Sequence, residues 1–293
     1  MAIETVGVIG TGTMGNGIAQ VFAQNGQKVV MVDINGERLD AARKIIEASL
    51  NRLVKKEKLA ADQVQPIMDR LTTSTELAGA KDADFVVEAV TEDEELKCKI
   101  HKELGGLLRP EGIISSNTSS IPITLLATAS GRPERFIGMH FMNPVPVMKL
   151  VEVIRGHDTS DETTQTTVDL AKSLGKTPVE CRDFPGFVAN RILMPIINEA
   201  IYTLYEGIAG VEEIDTIAKL GFAHPMGPLQ LADFIGLDVC LAIMRVLQEG
   251  FGDPKFRPCP LLVQLVTAGH LGDKTGRGFY TWENHKVSGV AYT

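Results

Sequence analysis

Gly10-Thr11-Gly12-Thr13-Met14-Gly15 constrains the folding of this chain more than any other feature. The six residues match G-x-G-x-x-G. They follow the β-branched run Val6-Gly7-Val8-Ile9 and open a stretch, 15–25, of helical character. A second such run, 28–33, ends on Asp33. Strand, glycine turn, helix, strand and acid in this order predict a βαβ unit that binds a dinucleotide. Gly10 permits the tight turn, Gly12 lets backbone amides approach the pyrophosphate, and Gly15 lets the helix pack closely on the strand. Thr13 and Met14 complete the turn at the helix N-terminus, where free N–H groups and the dipole favour an anion. Asp33 can accept hydrogen bonds from the adenine ribose hydroxyls and would repel a 2′-phosphate. Ile34 and Asn35 supply no arginine to hold one. NAD is therefore the expected cofactor rather than NADP, and no second flavin signature points to FAD.

The same alternation continues. Runs 84–90, 113–116, 136–141, 148–154 and 177–180 read as further strands. Val29-Val30 and Val86-Val87 show no polar alternation, as expected where both faces of a parallel sheet are covered. Residues 36–58, 93–108 and 161–174 read as helices between them. In the first, Leu39, Ala42, Ile45, Ile46, Ser49, Leu50 and Leu53 fall on one stripe. This succession predicts an α/β, Rossmann-type doubly wound sheet. After Asp183-Phe184-Pro185-Gly186 strand signals nearly vanish, and helices are expected at 187–206, 211–220, 228–249 and 260–269. The expected domains are 1–184, carrying NAD, and 185–293, an all-α C-terminal domain. The helix at 187–206 is apolar almost all round, which predicts burial in a core or a subunit interface, and Pro195 should bend it.

Composition excludes several classes. With 29 basic and 37 acidic residues the net charge is −8, opposite to the basic surface a general nucleic-acid binder needs. No apolar run approaches a membrane span. The strand that begins just after Met1 argues against a signal or transit peptide. Four scattered cysteines without a CxxC point to reduced thiols, hence a cytoplasmic protein. No HExxH or Cys/His cluster suggests a metal.

Among six histidines, five stand in polar or loop-like contexts and read as structural or surface residues. His140 differs. It lies in the run 136–141, followed by Asn143-Pro144-Val145-Pro146 and then a run containing Glu152. If the two runs pair antiparallel about Pro146, His140 lies directly opposite Glu152. Cβ atoms of such a pair are about 4.5–5.5 Å apart. Val151, Val153 and Ile154 shield the acid, and a buried acid needs a partner. Register leaves two roles open. The pair is either a structural contact in the core or a general base held by a carboxylate.

Several longer motifs bear on that choice. Gly10–Gly15, Ser116-Asn117-Thr118-Ser119-Ser120, the stretch 140–153, Pro185-Gly186-Phe187-Val188-Ala189-Asn190-Arg191 and Lys274-Thr275-Gly276-Arg277-Gly278-Phe279-Tyr280 together resemble the L-3-hydroxyacyl-CoA dehydrogenase family. The resemblance runs from about residue 4 to 282, and the size is similar to the stand-alone bacterial 3-hydroxybutyryl-CoA members. It implies oxidation of an (S)-3-hydroxyacyl-CoA thioester by NAD. It makes His140 the catalytic base, Glu152 its partner, Ser119 a hydrogen-bond donor to the substrate oxygen, and Asn190 a residue that holds the substrate. It places Glu92, Lys97 and Asn143 on the nicotinamide side of NAD, and Ser119 and Lys274 also near the cofactor. It sets Ser49 and Lys56 against coenzyme A, where the basic cluster Lys55, Lys56, Lys58 would meet phosphates. It implies that the C-terminal domain serves substrate and forms a homodimer. Two alternatives stand beside this reading. One is a dehydrogenase of a non-CoA hydroxy acid such as L-gulonate. The other is a non-catalytic NAD-binding protein.

Overall fold

A computed structural model describes residues 3–292. The chain forms two compact units, one closing at Phe184 and the other opening at Pro185. The first unit runs β1 (Thr5–Ile9), α1 (Thr13–Gln24), β2 (Lys28–Val32), α2 (Gly36–Lys55), α3 (Val64–Asp69), β3 (Leu71–Ser74), β4 (Phe85–Glu88), α4 (Glu94–Leu107), β5 (Ile113–Ser116), α5 (Ile123–Ser130), β6 (Phe136–Phe141), β7 (Leu150–Arg155), α6 (Asp161–Ser173) and β8 (Thr177–Arg182). Its eight strands form one sheet in the order β3-β2-β1-β4-β5-β6-β7-β8. Strands β3 to β6 pair in parallel across the sheet, as the βαβ succession requires. β7 then runs antiparallel to β6, and β8 follows β7 in parallel. This is the Rossmann-type arrangement with a reversed pair at one edge.

The interior strands are buried on both faces. Val6, Val8, Phe85, Val86, Val87 and Ile114 are fully enclosed, which is why their runs lack polar alternation. Strand β3 is absent from the expected set. Its sequence, Leu-Thr-Thr-Ser, buries only Leu71 and carries no apolar run to signal it. Helix α2 is shorter than expected, because Glu57 adopts φ 56° and ends it. Its buried stripe is also narrower. Leu39, Ala42, Ile46 and Leu50 enter the core, whereas Ile45 faces solvent.

The second unit comprises α7 (Ala189–Tyr205), α8 (Val211–Gly221), α9 (Pro228–Ile235), α10 (Leu237–Phe251), α11 (Pro260–Thr267) and a hairpin of β9 (Tyr280–Glu283) and β10 (Lys286–Val290). Two expectations are corrected here. The single helix expected over 228–249 is two, divided at Gly236, whose φ of 105° cannot continue a right-handed helix. The unit is also not all-α. Tyr280 and Trp282 alternate inward on β9, a signal too short to stand out in the sequence. Pro195 lies inside helix α7. It buries Met194, Ile197, Ile201 and Leu204 but leaves Ile192 and Ile196 exposed, so it is not enclosed all round.

Two fully buried aspartates organise this unit. Asp215 accepts hydrogen bonds from Leu229 N (2.8 Å) and Gln230 N (2.9 Å) at the start of α9, and from Tyr280 OH (2.8 Å). Asp233 accepts from Phe279 N, Tyr280 N (both 2.9 Å) and Trp282 Nε1 (3.0 Å). Burial, assisted by the charge of Asp215, pushes Asp233 above the ordinary carboxylate range despite those three donors. Among the described residues, no helix is long and apolar enough to cross a membrane.

Candidate active site

The glycine turn lies between β1 and α1. Gly10 takes φ 88°, which only glycine adopts without strain. A Cβ on Gly15 would stand 1.8 Å from the Gly10 carbonyl oxygen, so Gly15 is required by the close approach of the turn itself. Gly12 occupies the N-cap of α1 and contributes no capping side chain. A Cβ there would meet no other described atom within 4 Å. The first turn of α1 thus presents uncapped N–H groups beside open space, a cradle that fits a pyrophosphate. Thr13, exposed, and Met14, packed against the core, are its first two residues.

Asp33 follows β2 and faces this turn. Its Oδ2 accepts from both Thr11 N and Thr11 Oγ1 at 2.8 Å, and its Oδ1 from Ile34 N at 2.8 Å. Burial alone would raise its pKa, but these hydrogen bonds and the nearby Arg38 charge hold it below the ordinary range. Asp33 is therefore an anion at neutral pH. The guanidinium of Arg38 stands 3.9 Å from Oδ1. Attention to positions 34 and 35 alone misses this arginine. The first turn of α2, capped by Asn35 accepting from Arg38 N at 2.9 Å, brings it back toward Asp33.

Strands β6 and β7 pair in the register that opposes His140 to Glu152. His140 Nδ1 lies 2.8 Å from Glu152 Oε2, and both side chains are almost wholly buried. On its other side, His140 Nε2 lies 3.2 Å from Ser119 Oγ. Ser119 belongs to the turn that leaves β5. Asn117 in the same turn accepts from Phe141 N at 2.8 Å, which ties the turn to β6 beside the histidine.

Glu92 and Lys97 border the Ser119 turn. Glu92 Oε1 accepts from Thr118 Oγ1 (2.6 Å), Ser119 N (2.8 Å), Ser120 N (3.0 Å) and Ser120 Oγ (2.9 Å). Its Oε2 is 3.4 Å from Lys97 Nζ. Lys97 is buried and also pairs with Glu88 at 2.6 Å. Glu88 went unnoticed in the sequence, where the only hint was a carboxylate at the end of a fully apolar strand. Burial pushes Glu88 up, yet the His101 hydrogen bond and the Lys97 charge more than offset this and hold it at about 2, against 4.5 for an ordinary glutamate. A depressed carboxylate contributes stability above the unfolded value and loses it as pH falls through the folded one. Acid unfolding followed by circular dichroism should therefore show stability declining between pH 4.5 and about 2, and Glu88→Gln should flatten that decline.

The remaining expected residues are more dispersed. Asn143 is exposed in the segment after β6. Ser49 is half-buried on α2 and Lys56 is its exposed C-cap. Asn190 stands in the first turn of α7, in the helical unit. In that unit Lys274 pairs with Asp238, with its Nζ 2.5 and 2.6 Å from the two carboxylate oxygens. The structure thus brings Ser119, His140 and Glu152 together, with Glu92 and Lys97 alongside, and gathers Gly10, Gly12, Thr13, Met14, Gly15 and Asp33 at one turn. Among the described residues, no cluster of His, Cys, Asp or Glu could hold a metal ion.

A dinucleotide turn on a sheet that also carries a buried histidine–carboxylate pair defines an NAD-dependent dehydrogenase. Residues 5–184 match the family described as 3-hydroxyacyl-CoA dehydrogenase, NAD binding domain, and residues 186–282 match the 3-hydroxyacyl-CoA dehydrogenase C-terminal domain. The chain belongs to the 3-hydroxyacyl-CoA dehydrogenase family. It is 59% identical over 276 residues to "Probable 3-hydroxybutyryl-CoA dehydrogenase" of Deinococcus radiodurans, covering 94% of this chain and 99% of that one. It is 53% identical over 284 residues to the 3-hydroxybutyryl-CoA dehydrogenase of Bradyrhizobium diazoefficiens, covering 97% of each. Among solved structures, the (S)-3-hydroxybutyryl-CoA dehydrogenase PaaH1 of Ralstonia eutropha superposes with a TM-score of 0.94 at 52% identity, over 97% of this chain and 100% of that one.

Proposed function

We propose that this chain oxidises (S)-3-hydroxyacyl-CoA to 3-oxoacyl-CoA with NAD, and runs the reverse with NADH, with 3-hydroxybutyryl-CoA as its substrate. The observation that carries this reading is His140 held between Glu152 and Ser119, on a chain of this family. NAD, when bound, accepts the hydride that leaves the carbinol carbon. His140 takes the hydroxyl proton at Nε2, because Nδ1 is engaged by the carboxylate. Glu152 keeps Nδ1 protonated, so that Nε2 is the basic nitrogen, and stabilises the imidazolium that follows. Ser119 Oγ, beside Nε2, steadies the substrate oxygen as its proton leaves. In the reverse direction the same imidazolium protonates the forming alkoxide.

The other roles follow the chemistry of each group. The N–H groups of residues 12–15 receive the pyrophosphate and Asp33 the adenine ribose. Glu92, Lys97 and Asn143 line the nicotinamide side, and Lys274 approaches the cofactor. Asn190 binds the thioester substrate. Ser49 and Lys56 contact coenzyme A, and the Lys55, Lys56, Lys58 cluster complements its phosphates on an otherwise acidic protein. The helical unit also forms a homodimer contact. Ile208, Ile217, Leu220 and Phe222, all large and exposed, supply apolar surface for it. The four free cysteines suit a cytoplasmic setting.

The test is loss of NADH absorbance with acetoacetyl-CoA. Turnover at about 1–10³ s⁻¹ with submillimolar thioester is expected, and L-gulonate with NAD should give none. No turnover at millimolar acetoacetyl-CoA would remove the proposal.

A further inference from the structure

We propose that Glu88 and His101 are positioning residues for the Ser119–His140 pair, acting through Lys97 and Glu92. The proposal rests on the functional reading above, and its test is built to fail separately from it.

Glu88 ends β4 and has no exposed surface. Its carboxylate meets four donors from three neighbouring elements. Oε1 accepts from Lys97 Nζ (2.6 Å) and Val90 N (2.7 Å); Oε2 accepts from Ser116 Oγ (2.7 Å) and faces His101 Nε2 (3.1 Å). Val90 begins the segment leading to Glu92, and Ser116 is the last residue of β5, from which the Ser119 turn departs. Lys97 and His101 are one turn apart on α4. One carboxylate therefore fastens both strand ends and the helix above them.

The connection to His140 runs through alternating charges. Glu88 holds the Lys97 ammonium, Lys97 lies against Glu92, and Glu92 takes the backbone N–H of Ser119 and the hydroxyl of its neighbour Ser120. Ser119 Oγ then reaches His140 Nε2. Glu88 divides the hold on Lys97 with Glu92. Without it, the buried ammonium would keep only Val90 O, at 3.3 Å, and Glu92 Oε2, at 3.4 Å, and would pull the Glu92 carboxylate away from the turn that its Oε1 grips. His101 completes the set from behind. Nε2 must carry the proton to meet a carboxylate, and Nδ1 is buried with no hydrogen-bond partner among the described residues. Its ring stands edge-on to Phe136, with centroids 4.8 Å apart. A histidine with one nitrogen unmatched in an apolar pocket is held there for the bond the other nitrogen makes. Stability alone is a weak reason for this cluster, because apolar replacements of buried ion pairs are often as stable. Its outermost member grips the turn that carries Ser119, which is the stronger reason.

The test uses the full chain with Glu88→Gln, His101→Leu and His101→Gln. Glutamine at 101 can still donate to Glu88; leucine cannot. With acetoacetyl-CoA and NADH, His101→Leu should lower kcat about tenfold and Glu88→Gln about thirtyfold, with KM for the thioester changed less than about threefold. His101→Gln should stay within about threefold of the parent. Lower melting temperatures with unchanged kcat would reduce the cluster to a structural one and overturn the proposal. So would a His101→Gln enzyme as slow as His101→Leu. That pair keeps the test decisive if Glu88→Gln fails to fold. If the parent enzyme does not reduce acetoacetyl-CoA, the functional reading fails, and the positioning claim is read without substrate. The ¹⁵N resonances of the His140 ring and the Ser119 amide should then move in His101→Leu and return in His101→Gln. Resonances unmoved in His101→Leu would overturn it.

Discussion

Replacing His140 with glutamine is expected to lower kcat by about 10²–10⁴-fold, the usual contribution of a positioned general base. Glutamine can still donate to Glu152, so the ladder between β6 and β7 and the buried carboxylate keep a partner. It cannot take a proton near neutral pH. NADH affinity should stay within about threefold, because the turn at residues 10–15 and Asp33 are built on other strands and do not depend on the histidine. Steady-state reduction of acetoacetyl-CoA measures the first quantity, and NADH fluorescence titration the second. A kcat close to the parent value would move the base to another group. A collapse of NADH binding would mean that the histidine had a structural role in the cofactor site.

Asp233→Ala should destabilise the helical unit by about 3–5 kcal/mol. Three donors, Phe279 N, Tyr280 N and Trp282 Nε1, lose their acceptor in a buried setting. Each orphaned group costs about 1–3 kcal/mol, and the sum is reduced because neighbouring effects are not additive. Relief from burying a carboxylate near Asp215 offsets part of the loss. Urea unfolding followed by the fluorescence of Trp282, the only tryptophan, reads the effect directly. A loss below about 1 kcal/mol would show that water or another side chain satisfies the freed donors.

What could be read from the sequence follows the distance over which each feature is encoded. The glycine turn and Asp33 were legible because strand, turn and helix are contiguous, and each glycine answers a local demand. The opposition of His140 and Glu152 was legible because two neighbouring strands joined by a short segment need only a period-two register. Arg38 escaped because a helical turn, not the adjacent positions, brings it to Asp33. Glu88, Ser116 and His101 escaped because their meeting joins two strands and a helix, and no local pattern marks it. Strand β3 and the hairpin of β9 and β10 were missed because each is short and buries few side chains. The division at Gly236 was missed because the apolar period continues on both sides of it. Lys97 has a different lesson. No local pattern marks its burial, yet the fold encloses it between the carboxylates of Glu88 and Glu92. Asn190 and Lys274 came into view only through family motifs, since both lie in the helical unit, far along the chain from the strands that bear His140 and Glu152.

The direct opposition of His140 and Glu152 on adjacent strands has a consequence for turnover. Aligning an imidazole with a carboxylate costs orientational freedom, and in a loop-borne pair that loss recurs each time the loop orders around a ligand. Here the backbone hydrogen bonds between β6 and β7 impose the alignment, so the loss is incurred once, when the sheet forms. Under the proposed function, the sheet itself preorganises the pair, and each cycle needs only the proton to move.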